Sequence, residues 1–275
     1  MKSLKASSLL MSRGGSREVE KLSISDLSYS PYLTISDKLK ALITSLFSAG
    51  EQGAFYIPRP TVNGAQVLFQ DSAGTVPVAA DGDPVGRMLD QSGNGNYAVQ
   101  TVSGQRPVYP GLTYDGVDDF LENNFNMGAS DFIISIVAGT QGLSGDTPCA
   151  CGLGDDNLNV MYFYGNTSFG AATNQIRVFA FNTEVLIGPD IRDTGDRILT
   201  LTRENNTFSL YVDGEFYSSG VAEGSFAESL FIGDSFVRRR YNGSKLGSMV
   251  LVKTSNFASR AKIENYLASD AGITL

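Results

Sequence analysis

Residues 197–220 read RILTLTRENNTFSLYVDGEFYSSG, and this stretch decides the fold. Apolar and polar residues alternate in runs separated by short polar interruptions. Leu199 and Leu201 share one side of the first run. Phe208, Leu210 and Val212 share one side of the second, with Ser209 and Tyr211 opposite. Glu204-Asn205-Asn206 and Asp213-Gly214 carry the residue types that close tight hairpins, because Asn, Asp and Gly tolerate left-handed backbone. The stretch predicts strand, turn, strand, turn, strand.

Downstream, Leu246, Ser248, Val250 and Val252 alternate with Gly247, Met249, Leu251 and Lys253, which predicts one more strand. A short closing helix follows, with Ser255 or Asn256 as its N-cap and Ile263, Tyr266 and Leu267 as its apolar stripe. Upstream, the β pattern begins at residue 53. Val67-Leu68-Phe69 precedes the turn Asp71-Ser72-Ala73-Gly74, and Asp81-Gly82-Asp83-Pro84 is a second turn cluster. Phe132 to Val137 is almost wholly apolar, so both of its faces should be covered. About ten short strands with Gly, Asn and Asp between them predict a mainly β chain folded as a two-sheet antiparallel sandwich.

Residues 36–48 depart from this pattern. Leu39, Leu42, Ile43, Leu46 and Phe47 fall on one face of a helix, with Ser36 as N-cap, Asp37 in the first turn and Gly50 beyond the end. That face either packs on the following domain or docks on a partner or on copies of itself. Residues 1–30 are Ser-rich and without period, which reads as an extended arm. The division is therefore arm and anchoring helix over 1–50 and sandwich over 51–275.

Composition narrows the chemistry. The net charge of −8 argues against nucleic acid as the main partner. Residues 1–50 hold seven basic and four acidic side chains, so this +3 segment precedes a body of −11. With no histidine, a His-based triad, a His general base and a His metal site are excluded. Cys149 and Cys151 are too few for a disulfide framework or a four-cysteine zinc site and read as reduced and structural. No stretch approaches the ~20 apolar residues of a membrane helix, and Leu9-Leu10-Met11 is too short for a signal peptide.

Several ordered pieces resemble the concanavalin A-like, laminin-G-type domain of bacteriophage structural proteins. They are Gly50-Glu51-Gln52-Gly53, Leu68 to Thr75, Pro84 to Asp90 with Ser92 to Asn96, Arg106-Pro107-Val108, and Tyr114 to Leu121. At the other end they are Leu210 to Gly214, Leu230 to Gly233, Tyr266 to Ala268 and Gly272 to Leu275. The resemblance covers about residues 45–275 and implies a jelly-roll sandwich serving as a virion component, such as a fibre, spike, collar or head/tail decoration.

No catalytic residue stands out. A glycoside hydrolase needs two carboxylates roughly 5–10 Å apart across a cleft. On one strand they would alternate, and no β region of this chain carries that pattern. Asp115, Asp118 and Asp119 cluster, as do Asp155 with Asp156 and Asp81 with Asp83. These could hold calcium, but Asp also closes turns by accepting backbone N–H bonds, and that role is favoured. Arg238, Arg239, Arg240 and Lys245 form a basic group that is either a solvated loop or an acidic-partner surface. Tyr162, Phe163, Tyr164 and Phe169 are either core or sugar-stacking faces. The Asn-x-Ser/Thr sites at Asn166, Asn205 and Asn242 carry weight only on a secretory route.

The expectation is a non-enzymatic virion structural protein, assembled in the host cytoplasm without cofactor. It would be anchored to other virion proteins through residues 1–50, homo-oligomeric, and neither bind nucleic acid nor insert in a membrane. The alternatives are an adhesin module binding host glycan and, behind it, a glycoside hydrolase.

Overall fold

The computed structural model describes residues 35–139, 149–153, 161–167, 173–181, 183–191, 194–226, 229–233 and 245–275. The N-terminal arm predicted over 1–30 lies outside them. Helix α1 (Ile35–Phe47) comes first. Eight short strands follow: β1 (Gly53–Tyr56), β2 (Thr61–Val62), β3 (Ala65–Gln66), β4 (Leu68–Phe69), β5 (Arg87–Met88), β6 (Ala98–Val99), β7 (Leu112–Thr113) and β8 (Leu121–Asn123). Longer ones come next: β9 (Phe132–Ala138), β10 (Cys149–Leu153), β11 (Met161–Thr167), β12 (Thr173–Ala180), β13 (Thr183–Asp190) and β14 (Arg197–Glu204). The chain closes with β15 (Thr207–Val212), β16 (Glu215–Val221), β17 (Leu230–Ile232), β18 (Lys245–Lys253) and helix α2 (Ser259–Ala271).

The chain is mainly β, and every pairing among the described strands is antiparallel. A seven-stranded sheet runs β1-β18-β9-β14-β15-β16, with β7 also paired to β18. A nine-stranded sheet runs β13-β12-β11-β10-β17-β8-β6-β5-β4. The first and last strands pair, Gly53 with Val252 and Tyr56 with Met249, so both ends of the domain are tied into one sheet.

The predicted hairpins of residues 197–220 are β14, β15 and β16, with Leu201 opposite Leu210 and Thr202 opposite Ser209. Both turns use left-handed pairs: Asn205 (φ 48°) with Asn206 (φ 65°), and Asp213 (φ 49°) with Gly214 (φ 84°). Two consecutive residues of this kind give a twist that matches the flanking strands.

One face of the seven-stranded sheet carries α2. Phe55 meets Tyr266 edge-on at 5.6 Å, and Ser248 Oγ donates to Asp270 Oδ2 at 2.9 Å. Helix α1 packs against α2, with Leu39, Leu42 and Leu46 buried in the same core as the strands. The amphipathic face read from the sequence thus covers the domain itself. The helix begins at Ile35, so Ser36 lies inside it and is not the predicted cap. At α2 the predicted caps are likewise replaced: no side chain caps the helix, and Ser259 N–H donates to Asn256 O at 3.1 Å.

The other face of the seven-stranded sheet meets the nine-stranded one. Asn123 of β8 donates to the hydroxyl of Tyr56 in β1. A Cβ on Gly188 of β13 would lie 2.5 Å from a methyl of Leu210. Strand β9 is covered on both faces, buried along its whole length as its apolar sequence predicts. Cys151 lies buried in this core, its pKa pushed up by burial to about 12. Among the described residues no helix is long and apolar enough to cross a membrane.

Candidate functional site

The nine-stranded sheet has two unlike faces. Leu68, Met88, Ala98, Leu121, Leu230 and Ile232 point into the core. Their strand neighbours point outward, because successive strand residues alternate. Register places these outward residues in a row: Phe69 opposite Arg87, Arg87 opposite Val99, Val99 opposite Glu122, and Glu122 opposite Phe231. Beyond β17 the register continues to Gly152 in β10 and, farther along the sheet, to Phe179 opposite Glu184. Tyr97 and Phe120 lie two residues before Val99 and Glu122 and so share this face.

The face combines flat rings with fixed charges. The Arg87 guanidinium stacks 4.5 Å from the Tyr97 ring centroid, and Arg87 Nη1 donates to Ala73 O at 3.0 Å. Tyr97 is 39% exposed, so its ring is open to a ligand. Phe120 and Phe231 lie 5.9 Å apart at a tilt, with Phe120 partly exposed and Phe231 buried. Glu122 is half-buried between Val99 and Phe231, and its carboxylate has no hydrogen-bond or ion-pair partner among the described residues. Burial raises its pKa. Arg177 and Glu184, farther along the sheet, neutralise each other in an ion pair.

The acidic residues singled out in the sequence lie at one end of β8. Ligand oxygens of Asp115, Asp118 and Asp119 fall within 4.8 Å of one another. Asp115 Oδ1 accepts the N–H groups of Val117 (2.8 Å) and Asp118 (3.3 Å), while Asp119 Oδ2 accepts Asp115 N–H at 3.0 Å. These carboxylates close their own loop, the turn role that the sequence favoured over calcium. Burial outweighs that bond at Asp119, and with Asp115 and Asp118 also nearby its pKa rises to about 6.

Asp83 likewise closes a turn, accepting the N–H groups of Ala79 (2.8 Å) and Ala80 (2.9 Å). Asp71 accepts Thr75 N–H, Thr75 Oγ1 and Val76 N–H, and these bonds lower its pKa to about 2. Lys245 starts β18 opposite Thr113. Asp155, Asp156, Phe169, Asn242 and Arg238 to Arg240 lie outside the described residues, as do the side chains of Tyr162, Phe163, Tyr164 and Asn166.

Arg87, Tyr97 and Glu122 were not singled out in the sequence. Alternation over Phe120-Leu121-Glu122-Asn123 puts Phe120 and Glu122 on one side. A three-residue strand is too short for that pattern to stand out, and only the register reveals that Arg87 and Phe231 join them.

No family model and no curated protein matches this chain. Among solved structures it resembles Trypanosoma rangeli sialidase, with a TM-score of 0.56 at 15% identity over 84% of this chain and 34% of that one. The same enzyme in complex with sialic acid gives 0.54 at 16% identity over 88% and 39%. An arabinofuranosidase complexed with arabinofuranosyl-alpha-1,2-xylobiose gives 0.55 at 14% identity over 86% and 65%. The chain therefore spans 34–39% of the sialidase structures it matches. Identities this low establish a shared fold.

These neighbours overturn the expectation of a non-enzymatic virion structural protein. They are a sialidase and an arabinofuranosidase. The hairpins and Asp/Gly turns behind that expectation build the scaffold, and a scaffold serves many unrelated functions.

Proposed function

We propose that this domain binds glycan through the outward face of its nine-stranded sheet. One observation carries the reading: Arg87, Tyr97, Val99 and Glu122 form a continuous row of donor, ring, floor and acceptor, bounded by the buried ring of Phe231. Sugars are recognised by stacking of their C–H faces on aromatic rings and by hydrogen bonds from their hydroxyls to fixed polar groups. The fold neighbours support the same class, being enzymes whose structures contain sialic acid or an arabinofuranosyl xylobiose. The concanavalin-type jelly-roll connectivity implied by the sequence resemblance is part of this proposal. The test is a glycan microarray probed with the purified domain and with Tyr97→Ala. Selective hits that weaken in the variant support the reading, and hits unaffected by Tyr97→Ala move the site elsewhere.

A second reading, glycoside hydrolysis, is favoured by Asp119. Its carboxyl is raised to about 6 and lies within 4.8 Å of Asp115 and Asp118. A carboxyl that holds its proton towards neutral pH can serve as the general acid of glycosidic cleavage. Sugar release from array-positive glycans, abolished in Asp119→Asn, would establish it. Binding without release leaves the domain a recognition module.

A further inference from the structure

Among the described residues, the outward face contains an acceptor without a donor. Glu122 sits near the middle of the row with Val99 on one side and Phe231 on the other, and neither side chain offers a hydrogen bond. The row's nearest cation, Arg87, is two strand spacings away, about 10 Å. Its Nη1 is committed to Ala73 O, and its guanidinium plane lies on Tyr97. A half-buried carboxylate without a partner among the described residues has lone pairs open to donors that a ligand brings.

We infer that Glu122 sets the sugar class, selecting neutral or amino sugars and rejecting carboxylated or sulfated ones. This rests on the glycan-binding reading above. A carboxylate accepts from two adjacent hydroxyls at once, or from an ammonium group, and each bond gains strength because the site is partly dehydrated. An anionic sugar over the same floor would meet an uncompensated like charge, in a body that is itself acidic. Selectivity would then come from repulsion as well as attraction, and would differ from that of the sialic-acid-bound fold neighbour.

The experiment compares the full chain with Glu122→Gln on an array of neutral, amino, sialylated and sulfated glycans. Melting temperatures of both proteins verify folding, which an isosteric change at an outward position should preserve. The inference expects hits among neutral or amino glycans, weakened about tenfold or more in Glu122→Gln. Hits confined to sialylated or sulfated glycans overturn it, as does unchanged binding by the variant. An array with no hits at all removes the glycan reading itself and the inference with it.

Discussion

Gly220 of β16 faces the carbonyl of Val185 in β13 so closely that a Cβ would lie 2.0 Å from that oxygen. These strands are the edges of the two large sheets, and Ser218 Oγ reinforces the seam by donating to Ile187 O at 2.7 Å. The φ of Gly220 is not in the left-handed region, so space and not backbone freedom requires glycine there. Gly220→Ala should force the edges apart and cost about 1–3 kcal/mol. Chemical denaturation measures this, and an unchanged midpoint would mean that the seam is not tightly packed.

Asp90 fixes the loop that leads to the proposed binding face. It is buried, and its Oδ1 accepts Phe55 N–H and Ser92 N–H, both at 2.8 Å. Its Oδ2 accepts Ser92 Oγ at 2.7 Å and Asn96 N–H at 3.0 Å. Asp90→Ala leaves these donors unpaired in a dry site and should cost about 3 kcal/mol or more. Asn96 precedes Tyr97, so the variant should also weaken glycan binding under conditions in which it remains folded. Thermal unfolding and array signal, measured together, check both effects.

Arg203 is a cation in the core, 1% exposed, with Phe181, Phe208 and Phe226 each within 5.7 Å of its guanidinium carbon. Among the described residues only Nη2 is hydrogen-bonded, to Asn206 Oδ1 (2.6 Å) and Gly224 O (2.7 Å), while Nε and Nη1 find no partner there. Arg203→Ala opens a cavity between the rings and should cost about 3–5 kcal/mol. Arg203→Met keeps volume and removes the buried charge, so it should cost clearly less. Equal losses for the two would contradict a packing role.

Asp119 makes stability depend on pH. Its folded pKa of about 6 lies above the ordinary aspartate value of 3.8. Between these values the folded state retains a proton that the unfolded state releases. This contribution is therefore fully present below pH 3.8, falls as pH rises towards 6, and is gone above that. Asp119→Asn should remove this slope and raise stability at neutral pH by about 1 kcal/mol. Denaturation midpoints across pH 4–8 test the sign, and a variant less stable at pH 7.5 would contradict it.

How much of this was legible in the sequence depended on element length. The hairpins of residues 197–220 and strand β9 were readable because six or more residues of pattern repeat in each. Helix α1 was readable from its apolar face, but whether that face covered the domain or a partner was settled only by its packing on α2. Helix starts were misplaced because backbone carbonyls and tertiary packing did the work assigned to side-chain caps. The binding face was invisible for a different reason. Arg87, Val99, Glu122 and Phe231 come from four strands of two or three residues, brought together by register alone.

The most direct measurement of the central claim is amide chemical-shift mapping with a glycan that the array identifies. Binding at the outward face predicts the largest shifts at Arg87, Tyr97, Val99 and Glu122, with the α2 face unchanged. Shifts confined to the α2 face, or to the loop from Asp115 to Asp119, would contradict it.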